Sequence, residues 1–88
     1  MAETPYSLRA FRLARSLSLD EVAAVLGCHK TTVARIEIGE LPTDADMVER
    51  IVRLTEGAVT AADMHAVRFA WLKANRPDKF SEIAEAAE

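Results

Sequence analysis

Two short segments within residues 19–37 carry apolar side chains at helical spacing and are separated by a single glycine. In the first segment a small residue, Ala23, lies four positions before Gly27. In the second, Val33 and Ile36 fall on one helical face. Glycine adopts the left-handed conformation that a tight turn after a helix requires. The pattern therefore predicts two short helices that cross steeply and touch at Ala23, where a larger side chain would force them apart.

The rest of the chain has helical rather than alternating spacing, and glycine and proline divide it into short segments. The predicted helices are 6–16, 18–27, 29–38, 43–55, a fifth from Thr60 to Asn75, and a short last one after Pro77. Ser18 is a natural N-cap, and Thr60 followed by Asp63 resembles a capping box. No segment has the alternation of a strand. We predict an all-α fold of about five helices plus a short C-terminal helix.

Size and apolar content favour a second subunit. The chain has 88 residues, half of them hydrophobic, and a domain of this size buries little more than ~60% of its unfolded surface. The fifth predicted helix is apolar on more than one side, which exceeds what a small monomer covers. Within one compact domain, we expect residues 1–57 to form a core and residues 58–88 a helical extension that dimerises. The expected interface residues are Met64, Val67, Phe69, Trp71, Leu72, Phe80 and Ile83.

Length and composition exclude several classes of protein. The chain is too short for a multidomain enzyme, and it has neither a nucleophile elbow nor a Ser-His-Asp order. Cys28, His29 and His65 lack zinc-site spacing, and we expect no metal, cofactor or small-molecule ligand. Cys28 is interpreted as a packing residue rather than a redox sensor, since no second cysteine could resolve an oxidised thiol. Without a signal-like N-terminus or a long apolar stretch, we expect a cytoplasmic protein with no membrane partner.

The net charge of −3 argues weakly against a purely electrostatic nucleic-acid binder. The charges are unevenly distributed, however, because ten of the fourteen acidic residues lie within 40–88. In the second helix of the 19–37 pair, a polar face lies opposite Val33 and Ile36, formed by Lys30, Thr31, Ala34, Arg35 and Ile38. Two helices joined by a short turn, the second with such an exposed face, form the helix-turn-helix arrangement. In this arrangement the second helix can enter a major groove about 12 Å wide.

Residues 8–54 resemble the Cro/CI-type, or xenobiotic-response-element, family of phage repressors. The resemblance is carried by the small, glycine, aliphatic, aliphatic pattern at Ala23, Gly27, Val33 and Ile36, and by the Ile-Glu-x-Gly ending at Gly39. It implies a lambda-repressor-like helical bundle. It also implies a buried ion pair between Arg12 and Glu37, which would tie the first helix to the recognition helix.

The resemblance further implies base contacts from the recognition helix and phosphate contacts around it. The expected base-contacting residues are His29, Lys30, Thr31, Ala34 and Arg35, and the expected phosphate-contacting residues are Arg9, Arg15, Leu19 (through its backbone amide) and Thr32. Lysine and arginine donate to guanine O6 and N7, and the methyl groups of threonine and alanine contact thymine. Arg9 and Arg15 have the alternative role of solvated helix charges. Leu19, Ile38 and Glu40 replace residues with which the family often binds phosphate.

We therefore expect a sequence-specific DNA-binding transcriptional regulator that is not an enzyme. The resemblance implies a repressor that binds a pseudo-palindromic operator as a homodimer, through recognition helix 29–38. The alternative is a protein-interaction module of the antitoxin or adaptor type, which keeps the fold and has lost DNA binding. The acidic balance and Glu40 motivate this alternative. A positive stripe around Lys30 and Arg35 would distinguish the two.

Overall fold

A computed structural model describes residues 6–79, which form five α-helices joined by short turns. The helices are α1 (Leu8–Ala14), α2 (Leu19–Leu26), α3 (Lys30–Ile38), α4 (Ala45–Leu54) and α5 (Ala61–Asn75). No strand occurs in this part of the chain, and the all-α prediction is confirmed. Helical backbone resumes over 77–79. The remainder of the predicted C-terminal helix, with Phe80 and Ile83, lies outside the described residues.

The helices begin at side chains that cap them. Ser18 accepts a hydrogen bond from the Glu21 amide, and Glu21 accepts one from the Ser18 amide, which completes a capping box at α2. Thr60 and Asp63 form the same arrangement at α5. Each helix is shorter than predicted at one or both ends, because capping residues have non-helical backbone angles. Asp44, for example, caps α4, so that helix begins after it rather than at the predicted Thr43.

One hydrophobic core contains residues of helices α1, α2, α3 and α4 and extends past residue 57. Its buried residues are Leu8, Phe11, Val22, Ala23, Leu26, Val33, Ile36, Ile51 and Val59. Val59 is fully buried although it lies in the segment predicted to be an extension. The hydroxyl of Thr55, buried as well, donates to the Ile51 carbonyl (2.9 Å) and accepts from the Val59 amide (3.1 Å). The turn between α4 and α5 is therefore anchored to the core.

Helix α5 packs against α3 and α4. Leu72, which we expected at a subunit interface, is instead buried inside the protomer (1% exposed), because this packing turns part of the helix inward. Met64 is partly buried against the core, and Val67 and Trp71 are half-buried. Phe69 is 40% exposed, with its ring 6.2 Å from that of His65. Of the expected interface residues in α5, Phe69 therefore has the most exposed side chain.

Candidate nucleic-acid interface

Helices α2 and α3 meet across a three-residue turn. Gly27 ends α2 in the left-handed conformation (φ +74°), and the amides of Gly27 and Cys28 both donate to the Ala23 carbonyl, at 2.8 and 3.1 Å. Ala23 is buried between the helices. Cys28 is half-buried and packs against the core. The short turn that the sequence predicted is therefore present, with the small residue buried where α2 and α3 are in contact.

Helix α3 has a buried face and an exposed face. Val33, Ile36 and Glu37 are buried. The other face is formed by the exposed residues Lys30, Thr31, Arg35 and Ile38. Ala34 and Thr32 are half-buried beside them. The fold therefore uses one side of α3 entirely for packing. The side chains with hydrogen-bonding and cationic groups remain accessible on the other side.

His29 precedes α3 as its N-cap and is not part of the helix. Its Nδ1 accepts a hydrogen bond from the Thr31 amide (3.1 Å) and lies 3.1 Å from Thr31 Oγ1. A neutral imidazole that accepts at Nδ1 carries its hydrogen on Nε2. The exposed His29 ring therefore has a hydrogen-bond donor at Nε2. Because the N-terminal end of a recognition helix contacts base edges, this donor is suited to an acceptor on a base.

Arg12 and Glu37 form a two-pronged ion pair between α1 and α3. Arg12 Nε donates to Glu37 Oε2 at 2.7 Å, and Nη2 donates to Oε1 at 3.2 Å. A third guanidinium nitrogen, Nη1, donates to the Leu17 carbonyl at 3.1 Å. The two side chains are 13% and 4% exposed. The hydrogen bond that Arg12 donates to Glu37 raises the pKa of Arg12, against the opposing effect of burial.

The predicted phosphate-contacting residues have different surroundings. Arg9 is exposed on α1. The exposed Arg15 guanidinium lies 4.8 Å from the centroid of the Phe11 ring, a cation–π contact that restricts where it points. Leu19 is the first residue of α2, half-buried against the core, and the amides at this helix start form the positive end of the helix dipole. Thr32 is half-buried in the first turn of α3.

Two arginines that the sequence interpretation did not single out bind backbone carbonyls at the helix ends. Arg50 of α4 donates to the Leu26 carbonyl at 3.0 Å, at the end of α2. Arg68 of α5 donates from Nη1 to the carbonyls of Gly39 and Glu40, at 2.8 and 2.6 Å, just after α3. These pairs are separated by 24, 29 and 28 positions. No local pattern marks contacts over such distances in sequence.

The acidic residue Glu40 lies beside α3, directly after its C-cap. Glu40 Oε2 is 3.9 Å from Arg35 Nε, and the two side chains are 42% and 54% exposed. Such an exposed pair contributes at most about 1 kcal/mol to stability. The pair therefore affects the local charge beside Arg35 more than it affects the stability of the fold.

A family model described as a helix-turn-helix domain matches residues 7–65. The chain belongs to this helix-turn-helix family. Comparison with curated proteins and with solved structures finds no significant match. Domains of this family bind DNA and are typically not enzymes, so membership establishes the chain, in general terms, as a DNA-binding regulator. The matched region contains α1 to α4 and the start of α5.

Residues 6–79 contain neither a membrane-spanning helix nor a metal-binding cluster. No helix within 6–79 is long and apolar enough to cross a membrane. No group of three or more His, Cys, Asp or Glu residues in the same part of the chain is arranged to hold a metal ion. The exposed face of α3 carries the cationic and hydroxyl side chains of the helix-turn-helix.

Proposed function

We propose that this protein is a sequence-specific transcriptional repressor that inserts α3 into the major groove of an operator. The observation that carries the proposal is the division of α3 into two faces. Val33, Ile36 and Glu37 are buried, and the Arg12–Glu37 pair fixes the helix to α1. The opposite face is left with the cationic and hydroxyl groups that base recognition uses.

Each proposed base-contacting residue supplies a particular chemistry. Lys30 and Arg35 donate to guanine O6 and N7, arginine in a bidentate manner. His29 donates from Nε2 to an acceptor such as guanine N7 or thymine O4. The methyl groups of Thr31 and Ala34 contact the thymine methyl. These contacts define a preference for base pairs that present acceptors or a methyl group in the groove.

The phosphate backbone would be held by residues on either side of α3. Arg9 and Arg15 supply positive charge from α1. At the start of α2, the amides of Leu19 and Asp20 would bind a phosphate oxygen as helix N-termini do, since the Glu21 amide is bonded to the Ser18 hydroxyl, and Thr32 supplies a hydroxyl. Such contacts fix the register of the protein on the duplex without specifying sequence.

We propose that the repressor acts as a homodimer through α5. The exposed Phe69 ring and the half-buried Val67 and Trp71 provide apolar surface on this helix, and a domain this small gains stability from a partner. A two-fold dimer would present two copies of α3 about 34 Å apart, matching successive major grooves of a pseudo-palindromic operator. Sedimentation equilibrium with Phe69→Glu, compared with wild type, tests this surface.

Fluorescence anisotropy tests the DNA-binding function directly. The full chain is titrated onto the DNA that lies upstream of its own gene and onto a scrambled duplex. Both titrations are made at two salt concentrations. We expect a preference of about 10³-fold or more for the native fragment, with affinity that falls as salt rises. Equal binding to both duplexes, or none at low salt, would reject an operator in this fragment.

A second candidate function is a protein-interaction module that has lost DNA binding. Glu40 beside Arg35 favours it, because a carboxylate at that position reduces the positive charge available to phosphate. This candidate predicts no binding to any duplex at low salt. A genome-wide selection of bound fragments, in place of one upstream region, separates it from a regulator of a distant promoter.

A further inference from the structure

The turn that follows the recognition helix is held by α5. Gly39, the C-cap of α3, has φ +87°, and a Cβ atom built at this position would lie 2.6 Å from the Val67 carbonyl oxygen. The backbones of the turn and of α5 are therefore in direct contact. Arg68, the next residue of α5, donates from Nη1 to the carbonyls of both Gly39 and Glu40. Its guanidinium also lies 5.6 Å from the centroid of the Trp71 ring.

Two hydrogen bonds restrain the backbone of Glu40, and its side chain lies near Arg35. Its amide donates to the Arg35 carbonyl at 3.0 Å, and its carbonyl accepts from Arg68 at 2.6 Å. Its carboxylate lies 3.9 Å from Arg35 Nε. An exposed arginine samples many rotamers, and the negative charge of a carboxylate on a restrained backbone favours those that bring the guanidinium toward it. The three contacts connect α5 to Arg35 by way of one residue.

We propose that Arg68 is a positioning residue for Arg35 and acts through Glu40. The two hydrogen bonds from Arg68 hold the backbone from which the Glu40 carboxylate extends, and the carboxylate restricts the direction of the Arg35 guanidinium. Helix α5 thereby influences how the recognition arginine is presented to DNA. The consequence for base recognition rests on the proposed function of α3. A second subunit bound to α5 would be coupled to base recognition through the same contacts.

The first test needs no DNA. Nitrogen-15 relaxation of the Arg35 Nε–H group reports its mobility in wild type and in three variants. Arg68→Met keeps the apolar stem and removes the donors, and Glu40→Gln removes the charge and keeps the carbonyl. Arg53→Met is the matched control, since Arg53 pairs with Glu49 on the surface of α4. We expect a lower order parameter for Arg35 in the first two variants only. An unchanged order parameter in Arg68→Met would overturn the proposal.

The second test measures base discrimination. Arg35→Ala first identifies the base pair that Arg35 recognises, as the position where the variant no longer distinguishes bases. Arg68→Met should lower discrimination at that pair by about threefold to tenfold, with discrimination at other pairs retained. The double variant Arg68→Met/Glu40→Gln should lose no more base discrimination than either single variant. Arg68→Lys should retain more of this discrimination than Arg68→Met.

The outcomes separate this proposal from the proposed function. A uniform loss of affinity in Arg68→Met, or losses that add in the double variant, would reject the route through Glu40. If wild type prefers no duplex, the DNA-binding proposal fails, and the relaxation measurement still decides whether Arg68 restricts Arg35.

Discussion

Arg12 and Glu37 join α1 to α3 through two parallel hydrogen bonds of 2.7 and 3.2 Å. The pair lies 25 positions apart in sequence and is largely removed from solvent. A bidentate geometry of this kind sets both the distance and the orientation of the two helices. The exposed face of α3 therefore depends on a contact made on its opposite side.

Replacing Glu37 with Ala should lower the free energy of unfolding by about 3 kcal/mol, because it leaves the largely buried Arg12 guanidinium without its opposite charge. Urea denaturation of the two proteins measures the change. The double variant Arg12→Met/Glu37→Met is the control and should recover much of the loss, since no charge is then left without a partner. A variant with the wild-type urea midpoint would contradict the role of the pair in stability.

Lys30→Ala and Arg35→Ala should each weaken specific binding by roughly 1–3 kcal/mol without changing the melting temperature, because both side chains are exposed and lie on the free face of α3. Anisotropy titrations and thermal melts measure the two quantities. Arg53→Ala, which removes a surface arginine from α4, is the control for loss of charge. If all three variants bind the operator as wild type does, α3 does not read the bases in the proposed register.

His29 combines a capping role with a proposed base contact, and two substitutions separate them. Ser is a good N-cap, so His29→Ser should keep the stability of α3 and lose discrimination at the base pair contacted by Nε2. His29→Ala should lose the same discrimination and, in addition, about 1 kcal/mol of stability. Thermal melts and titrations with single-base operator variants check both effects. Equal melting temperatures for the two variants would mean that the hydrogen bond from the Thr31 amide does not stabilise the helix.

Gly39 and Gly57 form a matched pair of positions for testing the contact between the turn after α3 and helix α5. Both have a left-handed backbone, with φ of +87° and +83°, but only Gly39 has neighbours within 4 Å of a built Cβ. Gly57→Ala should cost about 1 kcal/mol of stability from backbone strain alone. Gly39→Ala should cost more, because its methyl group would collide with the Val67 carbonyl and Trp71. Equal losses in urea denaturation would show that α5 tolerates displacement from the turn.

The capping box of α5 should make part of the stability depend on pH. The Thr60 amide that donates to the Asp63 carboxylate lowers the pKa of Asp63 in the folded protein, with burial opposing and the Thr60 side chain assisting. The stabilisation is therefore fully present above the ordinary pKa of 3.8 and is lost as the pH falls through the lowered value. Urea midpoints of wild type and Asp63→Asn should differ at pH 7 and converge in strong acid. A constant difference would exclude the carboxylate as its cause.

Local chemistry accounts for what could be predicted from the sequence. Capping residues such as Ser18 and a helix-ending glycine such as Gly27 act within a few positions of themselves, so they mark where helices start and stop without reference to the rest of the chain. Helical spacing of Val33 and Ile36 likewise determines which face of α3 is exposed. The fold class, the helix-turn-helix and the composition of its free face follow from these features.

The tertiary structure alone decided how α5 is used. Its apolar residues occupy more than one side, so the side that packs inward could not be predicted from the sequence. In the structure Leu72 is buried within the protomer. The hydrogen bonds from Arg68 to Gly39 and Glu40 span 29 and 28 positions and leave no periodic signal. Such contacts depend on the docking of complete helices, which is set by the summed packing of the core and not by any segment of the sequence.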